Sequence, residues 1–193
     1  MPNSPLRYGA DYNPDQWLHR PDILAQDIEL MKKANVTTEA RKVVAAAMAR
    51  DTETGDAAAA MELPDGTIVT GRTSELRGAS SALLLNALKK LGGLPDDLHM
   101  ISPIVLEPIQ NLKTNHLGNR NPRLHTDEML IALSMCAATN PTADLAMEHL
   151  NQLRGAEVHS TVILSQVDEN VFKKLGANVT YDPVYEGQKL YHK

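Results

Sequence analysis

The C-terminal part of the chain contains the pattern that most constrains its fold, a strand followed by a helix and a second strand. Val158–Leu164 and Ala177–Thr180 are rich in β-branched and apolar residues, and Ser165–Leu175 between them has helical spacing. Ser165, with Asp168 three residues later, is a capping-box variant at the start of this helix. If the two strands are parallel neighbours, a right-handed crossover joins them.

A turn sequence predicts a hairpin earlier in the chain. Pro64-Asp65-Gly66 separates Ala57–Leu63 from the strand-favouring residues Thr67–Thr70. Four alanines in the first of these segments favour a helix by propensity, but the turn chemistry is the sharper indication. Leu98–Ile101 is a further short strand. Together these segments predict a mixed α/β (α+β) fold in which helices pack on a small mixed sheet.

Apolar spacing and capping residues predict the remaining elements. Thr126 is the predicted N-cap of one helix, with Asp127 and Glu128 in its first turn, and Asn140 is the predicted N-cap of the next, with Pro141 at its first position. A short strand is predicted over Leu6–Tyr12. The predicted helices are Pro21–Ala34, Thr38–Arg50, Glu75–Leu91, Pro103 to about Leu112 with a kink or an end at Pro108, and the two helices that begin at Thr126 and Asn140.

Composition excludes several classes of function. The chain has 193 residues, a formal net charge of -5 and only 4% aromatic residues, so we expect an aliphatic core and no nucleic-acid partner. A single cysteine, Cys136, excludes an internal disulfide and a zinc site of two or more thiolates, and no metal site is predicted. Neither a signal peptide nor an apolar stretch of roughly 20 residues is visible, so we expect a cytoplasmic protein with no membrane partner. The sequence leaves open whether the protein forms a homo-oligomer.

The first group of residues with chemical potential precedes a predicted helix. Arg123, His125, Asp127 and Glu128 bring a guanidinium, an imidazole and two carboxylates next to a helix N-terminus. Such a group can bind an anion or transfer protons. The alternative, which we favour at this point, is a capped helix preceded by a polar loop.

Two further groups are weaker candidates. Gly71, Arg72, Thr73 and Ser74 lie between a predicted strand and a predicted helix, as phosphate-binding loops do, but they match neither a Walker loop nor a dinucleotide fingerprint. We favour a plain connection there. His159 follows Glu157-Val158 in a predicted strand, where alternation points it away from Ser160, so these two cannot form a dyad directly.

Residues 39–193 closely resemble the C-terminal part of a bacterial family, domain of unknown function 1846, also called uncharacterised protein family 0371. The resemblance rests on EARKVVAAAMARD (Glu39–Asp51), ELPDG (Glu62–Gly66), ALLLNALK (Ala82–Lys89), HLG (His116–Gly118), NPRLHTDE (Asn121–Glu128), AATNP (Ala137–Pro141), HSTVILSQVDE (His159–Glu169) and KLYH (Lys189–His192). It implies that a nucleotide-binding α/β half of longer members is missing here. Some members are labelled ATP-dependent peptidases, but the chain contains neither a His-Glu-x-x-His motif nor a phosphate loop.

Residues 6–34 resemble a different family. LRYGADYNPDQW (Leu6–Trp17) and DIELMKKA (Asp27–Ala34) are similar to the opening of β-galactosidases of glycoside hydrolase family forty-two. That resemblance implies the first strand and helix of a TIM barrel, without the two catalytic carboxylates that a retaining glycosidase needs. We therefore expect a composite chain, with an appendage over residues 1–35 and a domain over residues 36–193, and no galactosidase activity.

Two functional hypotheses follow. In one, the domain is part of a nucleotide- or phosphate-handling enzyme whose cofactor is unknown. Its catalytic candidates are Arg123, His125, Asp127, Glu128 and His159. Its cofactor-binding candidates are Gly71, Arg72, Thr73 and Ser74. In the other, it is a structural or oligomerisation domain without catalysis of its own. Convergence of the polar groups would favour the first, and a broad exposed apolar face would favour the second.

Overall fold

The computed structural model describes residues 41–186 together with Asp22, Ala25, Gln26 and Glu29. These four isolated residues are helical, in agreement with the predicted helix Pro21–Ala34. The predicted strand Leu6–Tyr12 and the rest of that helix lie outside the described residues. In chain order the elements are α1 (Lys42–Thr54), β1 (Ala58–Glu62), β2 (Ile68–Arg72), α2 (Ala79–Leu91), α3 (Pro103–Asn111), a π-helical turn (Leu112–His116), α4 (Thr126–Ala137), α5 (Pro141–Glu148), a 3₁₀ turn (Leu150–Leu153), β3 (Glu157–Ser160), α6 (Gln166–Lys174) and β4 (Asn178–Tyr181).

The four strands form one mixed sheet in the order β2-β1-β3-β4. β1 is antiparallel to both β2 and β3, whereas β3 and β4 are parallel neighbours joined through α6. The carboxyl ends of β2, β3 and β4 consequently lie at the same edge of the sheet. The mixed α/β class and the strand–helix–strand unit are confirmed.

The predicted hairpin is confirmed, although its first strand is built of alanines. Ala58, Ala59 and Ala60 are buried because β1 lies between two other strands and is covered on both faces. Small side chains allow helices to approach the sheet on both sides, so packing outweighs the helix propensity of alanine. Asp65 caps the turn by accepting a hydrogen bond from the Thr67 amide at 2.9 Å.

The two faces of the sheet are covered unequally. Ala59 and Met61 of β1 and Val158 of β3 belong to a large core that includes residues of α2, α4, α5 and α6. Ala60 instead faces α1 and forms a small cluster with Val43 and Ala47. We call the first side the core face and the second the α1 face.

Several predicted boundaries are wrong for identifiable reasons. Leu98–Ile101 is not a strand: Met100 and Ile101 bury their side chains in the core without pairing to the sheet. The strand predicted over Val158–Leu164 ends at Ser160, whose hydroxyl donates to the Val162 carbonyl at 2.9 Å and so forms a local turn.

Helix boundaries also differ from the predictions. α2 begins at Ala79 rather than Glu75 because Arg77 forms a β-bridge with Leu124. α1 runs on from the predicted Arg50 to Thr54 and ends at Gly55, whose φ of 72° is the left-handed conformation typical of a helix C-cap. α3 passes through Pro108 and ends at Asn111.

Candidate active site

The polar residues of interest cluster at the edge where β2, β3 and β4 end. Ser74 follows β2, and Ser165 follows β3 as the N-cap of α6. The β-bridge between Arg77 and Leu124 brings the segment before α4 to the same edge. In open α/β sheets the carboxyl edge is the usual place for ligands, because loops and helix N-termini converge there.

His125 and Asp168 form the centre of this cluster. His125 Nδ1 lies 3.1 Å from Asp168 Oδ2, although the two residues are 43 positions apart. Asp168 is nearly buried and accepts two further hydrogen bonds, from the Thr126 amide at 2.8 Å and from the Ser165 hydroxyl at 2.7 Å. The carboxylate is therefore fixed by three donors on two helices.

Hydrogen bonding sets the protonation of this pair. Burial acts to raise the pKa of Asp168, but the hydrogen bonds from His125, Ser165 and Thr126 together outweigh it and lower the pKa below its ordinary value. An ionised Asp168 only accepts, so Nδ1 of His125 carries the proton that the two share. The hydrogen bond to Asp168 in turn raises the pKa of His125, again against the effect of burial.

Ser165 completes a serine, a histidine and an aspartate, but not the arrangement of a hydrolytic triad. Its hydroxyl oxygen lies 3.3 Å from Nδ1 of His125, the same ring nitrogen that faces Asp168. In a triad the serine contacts the other nitrogen, Nε2. The Ser165 oxygen also accepts the Asp168 amide at 3.1 Å, as predicted for a helix cap, so we assign it a capping role.

The segment Arg123–Glu128 is anchored by a lysine that the sequence did not single out. Lys113, buried in the π-helical turn, donates to Glu128 Oε2 at 2.6 Å and to the carbonyl of Arg123 at 2.5 Å. Glu128 also accepts the amide of His125 at 2.9 Å. These bonds hold the chain on both sides of His125.

The N-cap of α4 is His125 rather than the predicted Thr126. Thr126 is already helical and fully buried, and its amide is taken by Asp168. Of the other two predicted residues, Asp127 accepts the Glu128 amide at 2.7 Å in the first turn of α4. Arg123 instead pairs with Glu186 at 3.1 Å.

The predicted loop Gly71–Ser74 begins later than expected, because Gly71 and Arg72 are the last residues of β2. The segment reaches the same edge of the sheet, but the backbone amides of Thr73 and Ser74 are taken. The amide of Thr73 donates to the carbonyl of Ala57, and that of Ser74 donates to the carbonyl of Arg77. Arg72 pairs with Asp56 at 2.8 Å. A Cβ atom on Gly71 would lie 2.2 Å from the backbone nitrogen of Leu83, so glycine is required for the close contact between β2 and α2.

His159 lies on the α1 face and does not join this cluster. It is only 2% exposed, and its Nδ1 is 2.9 Å from the hydroxyl of Thr180, to which Arg41 also donates. Its Nε2 is 3.4 Å from Asp182 Oδ1 without the alignment of a hydrogen bond. Burial lowers the pKa of His159 more than the charge of Asp182 raises it.

Other features of the described residues give no second site. No group of three or more His, Cys, Asp or Glu residues among them is placed to hold a metal ion. A cleft of about 260 Å³, lined by residues that include Glu62 and Arg154, lies at the opposite edge of the sheet, away from His125. None of the helices in residues 41–186 has the length and apolar character to cross a bilayer.

Comparisons with known proteins point to one family. A family model described as "Domain of unknown function DUF1846, C-terminal" matches residues 39–191. A UPF0371 protein of Streptococcus thermophilus is 52% identical over 174 residues, which cover 90% of this chain and 35% of that protein. A UPF0371 protein of Corynebacterium urealyticum is 54% identical over 164 residues, which cover 85% of this chain and 33% of that protein. This chain thus spans about a third of the length of the curated relatives it matches.

Proposed function

Since the chain belongs to the DUF1846 family, a family of unknown function, we propose from the geometry of the site that its domain supplies a histidine acid–base to an active site completed by the rest of a full-length family member. The observation that carries this proposal is the His125–Asp168 pair, with its 3.1 Å contact and its carboxylate held by three donors. No catalytic function is indicated by the relatives themselves, which are named only as UPF0371 proteins.

The pair has the properties that proton transfer requires. Asp168 fixes the proton on Nδ1, so Nε2 is the nitrogen that exchanges a proton with a substrate. Because the pKa of His125 is raised, the ring keeps its proton to a higher pH than a free histidine does. The His125 side chain is 39% exposed, which leaves it accessible to a reacting group.

We infer an anionic substrate, a nucleotide or another phosphate, from an arginine whose backbone lies beside the segment of His125. Arg77, joined to the residue before His125 by the β-bridge, has no ion-pair partner among residues 41–186. Burial lowers the pKa of Arg77, and burial together with the charge of Arg77 lowers the pKa of Lys89. A partly buried guanidinium without an ion pair in residues 41–186 is a strong donor for phosphate oxygens, and a bound anion would relieve the repulsion between the two cations.

A chimera tests the proposal. The streptococcal relative would carry residues 39–191 of this chain in place of its own C-terminal part, and release of phosphate from nucleotides and phosphate esters would be measured. We expect His125→Gln to lower kcat by about 100-fold or more, the range typical of a lost acid–base. His149→Gln is the matched control, because the only hydrogen bond of the His149 ring among the described residues is with the Gln152 side chain. Equal turnover in the two variants would refute the role of His125.

Two narrower parts of the proposal concern the whole chain. We place the protein in the cytoplasm on the basis of its sequence. We also retain the similarity of residues 6–34 to the opening of family forty-two β-galactosidases as an expectation about ancestry. We expect no sugar-cleaving activity from it, because a match limited to the first strand and helix of a barrel carries over no catalytic carboxylate.

A further inference from the structure

After its first turn, helix α4 carries large apolar residues on its outer side as well as on its inner side, and Ser134 is its one polar residue there. Its inner residues Met129, Leu133 and Cys136 are buried in the core. On its outer side, Ile131 and Met135 are 57% and 58% exposed. A surface helix normally carries a predominantly polar stripe on its outer side, so exposed large apolar residues there favour a covering partner.

The neighbouring helix α3 extends this apolar surface. None of its residues is buried, and Ile104 is 78% exposed. The Ser102 amide lies 3.5 Å from the sulfur of Cys136, which places the first turn of α3 against the last turns of α4. We call Ile104, Ile131 and Met135 the α3–α4 surface. Glu107 is the one charged residue in α3, and α4 has none after Glu128.

We propose that the α3–α4 surface is the docking site for the portion of a full-length family member that precedes this domain. The relatives are about three times as long as the matched region, and the matching family model is described as C-terminal, so a large preceding portion is present in those proteins. A clustered, exposed apolar surface is the kind of area that an interface between domains covers. This proposal does not depend on the acid–base role of His125.

Cysteine labelling distinguishes the occupants. Met135→Cys places a thiol on the α3–α4 surface, and Met48→Cys places one on α1, where Met48 is 47% exposed. The rate of maleimide attachment at each position would be read by peptide mass spectrometry, in this chain alone and in the chimera with the streptococcal relative. Cys136 is buried, so its background reaction is slow.

We expect the chimera to lower the labelling rate at position 135 by at least 10-fold and to leave the rate at position 48 within a factor of two. A rate at position 135 that is equally fast in the chimera overturns the proposal. Protection in this chain alone also overturns it: if protection rises with protein concentration, a second copy is the occupant, and if it does not, residues outside the described ranges cover the surface.

Discussion

The core face and the α1 face of the sheet each hold a histidine close to an aspartate, and the two pKa values move in opposite directions. At the edge of the core face, an aligned hydrogen bond to Asp168 raises the pKa of His125. On the α1 face, burial lowers the pKa of His159, although Asp182 lies within 3.4 Å. A nearby carboxylate acts to raise the pKa of both histidines, but the net shift is upward only at His125, where the hydrogen bond to Asp168 outweighs burial.

The two faces of the sheet also differ in how helices pack against them. The close contact between β2 and α2 is tested at Gly71, where we expect the largest effect. Gly71→Ala would place a Cβ atom 2.2 Å from a backbone atom of α2, which cannot move without shifting the helix. We expect a loss of about 4 kcal/mol or more in the free energy of unfolding, or no folded protein at all. Gly78→Ala is the control, because nothing lies within 4 Å of its Cβ position. Urea unfolding measures both, and similar stabilities would contradict the close contact between β2 and α2.

The unequal cores predict unequal losses on truncation. Phe172 of α6 is fully buried in the large core, and Val43 of α1 is fully buried in the small one. We expect Phe172→Ala to cost about 3 kcal/mol and Val43→Ala about 1.5 kcal/mol, since the larger side chain leaves the larger cavity. Denaturant midpoints at constant slope give both values. A larger loss at Val43 would show that the α1 face contributes more stability than its small cluster suggests.

The sequence predicted those parts of the fold that local chemistry determines. The Pro64–Gly66 turn identified the hairpin, and Ser165 with Asp168 identified the start of α6. The strand predicted over Leu98–Ile101 is wrong because apolar residues bury equally well in a loop that reaches the core. Periodicity does not distinguish such a loop from a short strand. The prediction of Thr126 as the N-cap is wrong because the Thr126 amide donates a hydrogen bond to Asp168, a residue far along the chain.

The candidate site could be predicted only in part, for the same reason. The segment around His125 was recognisable from its residue types, but its decisive partner is 43 residues away. Nothing in the sequence marked Lys113 as a site residue. A lysine after a proline-containing helix has the sequence context of a solvent-exposed lysine, and only the fold shows that it is buried. His159 was correctly placed in a strand, yet only the pairing of β3 with β1 and β4 shows which face it occupies.

Removing each carboxylate charge tests the contrast between the two histidines directly. Asp168→Asn loses the charge-assisted hydrogen bonds with His125, Ser165 and the Thr126 amide, so we expect a cost of about 2 kcal/mol and a fall in the pKa of His125. Asp182→Asn should lower the pKa of His159 further, because the charge of Asp182 raises it. Side-chain NMR titration measures both pKa values. An unchanged pKa of His125 in Asp168→Asn would show that the pair is not coupled.

The smallest expected effect is the pH dependence of stability, and it has opposite signs at the two histidines. Because the pKa of His125 is raised in the folded state above its ordinary 6.5, its contribution to stability is complete below that value and is lost as the pH rises through the folded pKa. Because the pKa of His159 is lowered below 6.5, its contribution is complete above that value and is lost as the pH falls towards the folded pKa. Urea midpoints between pH 5 and 8 should therefore show the advantage of the natural chain over His125→Gln shrinking with rising pH. Over the same range its advantage over His159→Gln should grow, and parallel curves for the two variants would show that the faces do not treat their histidines differently.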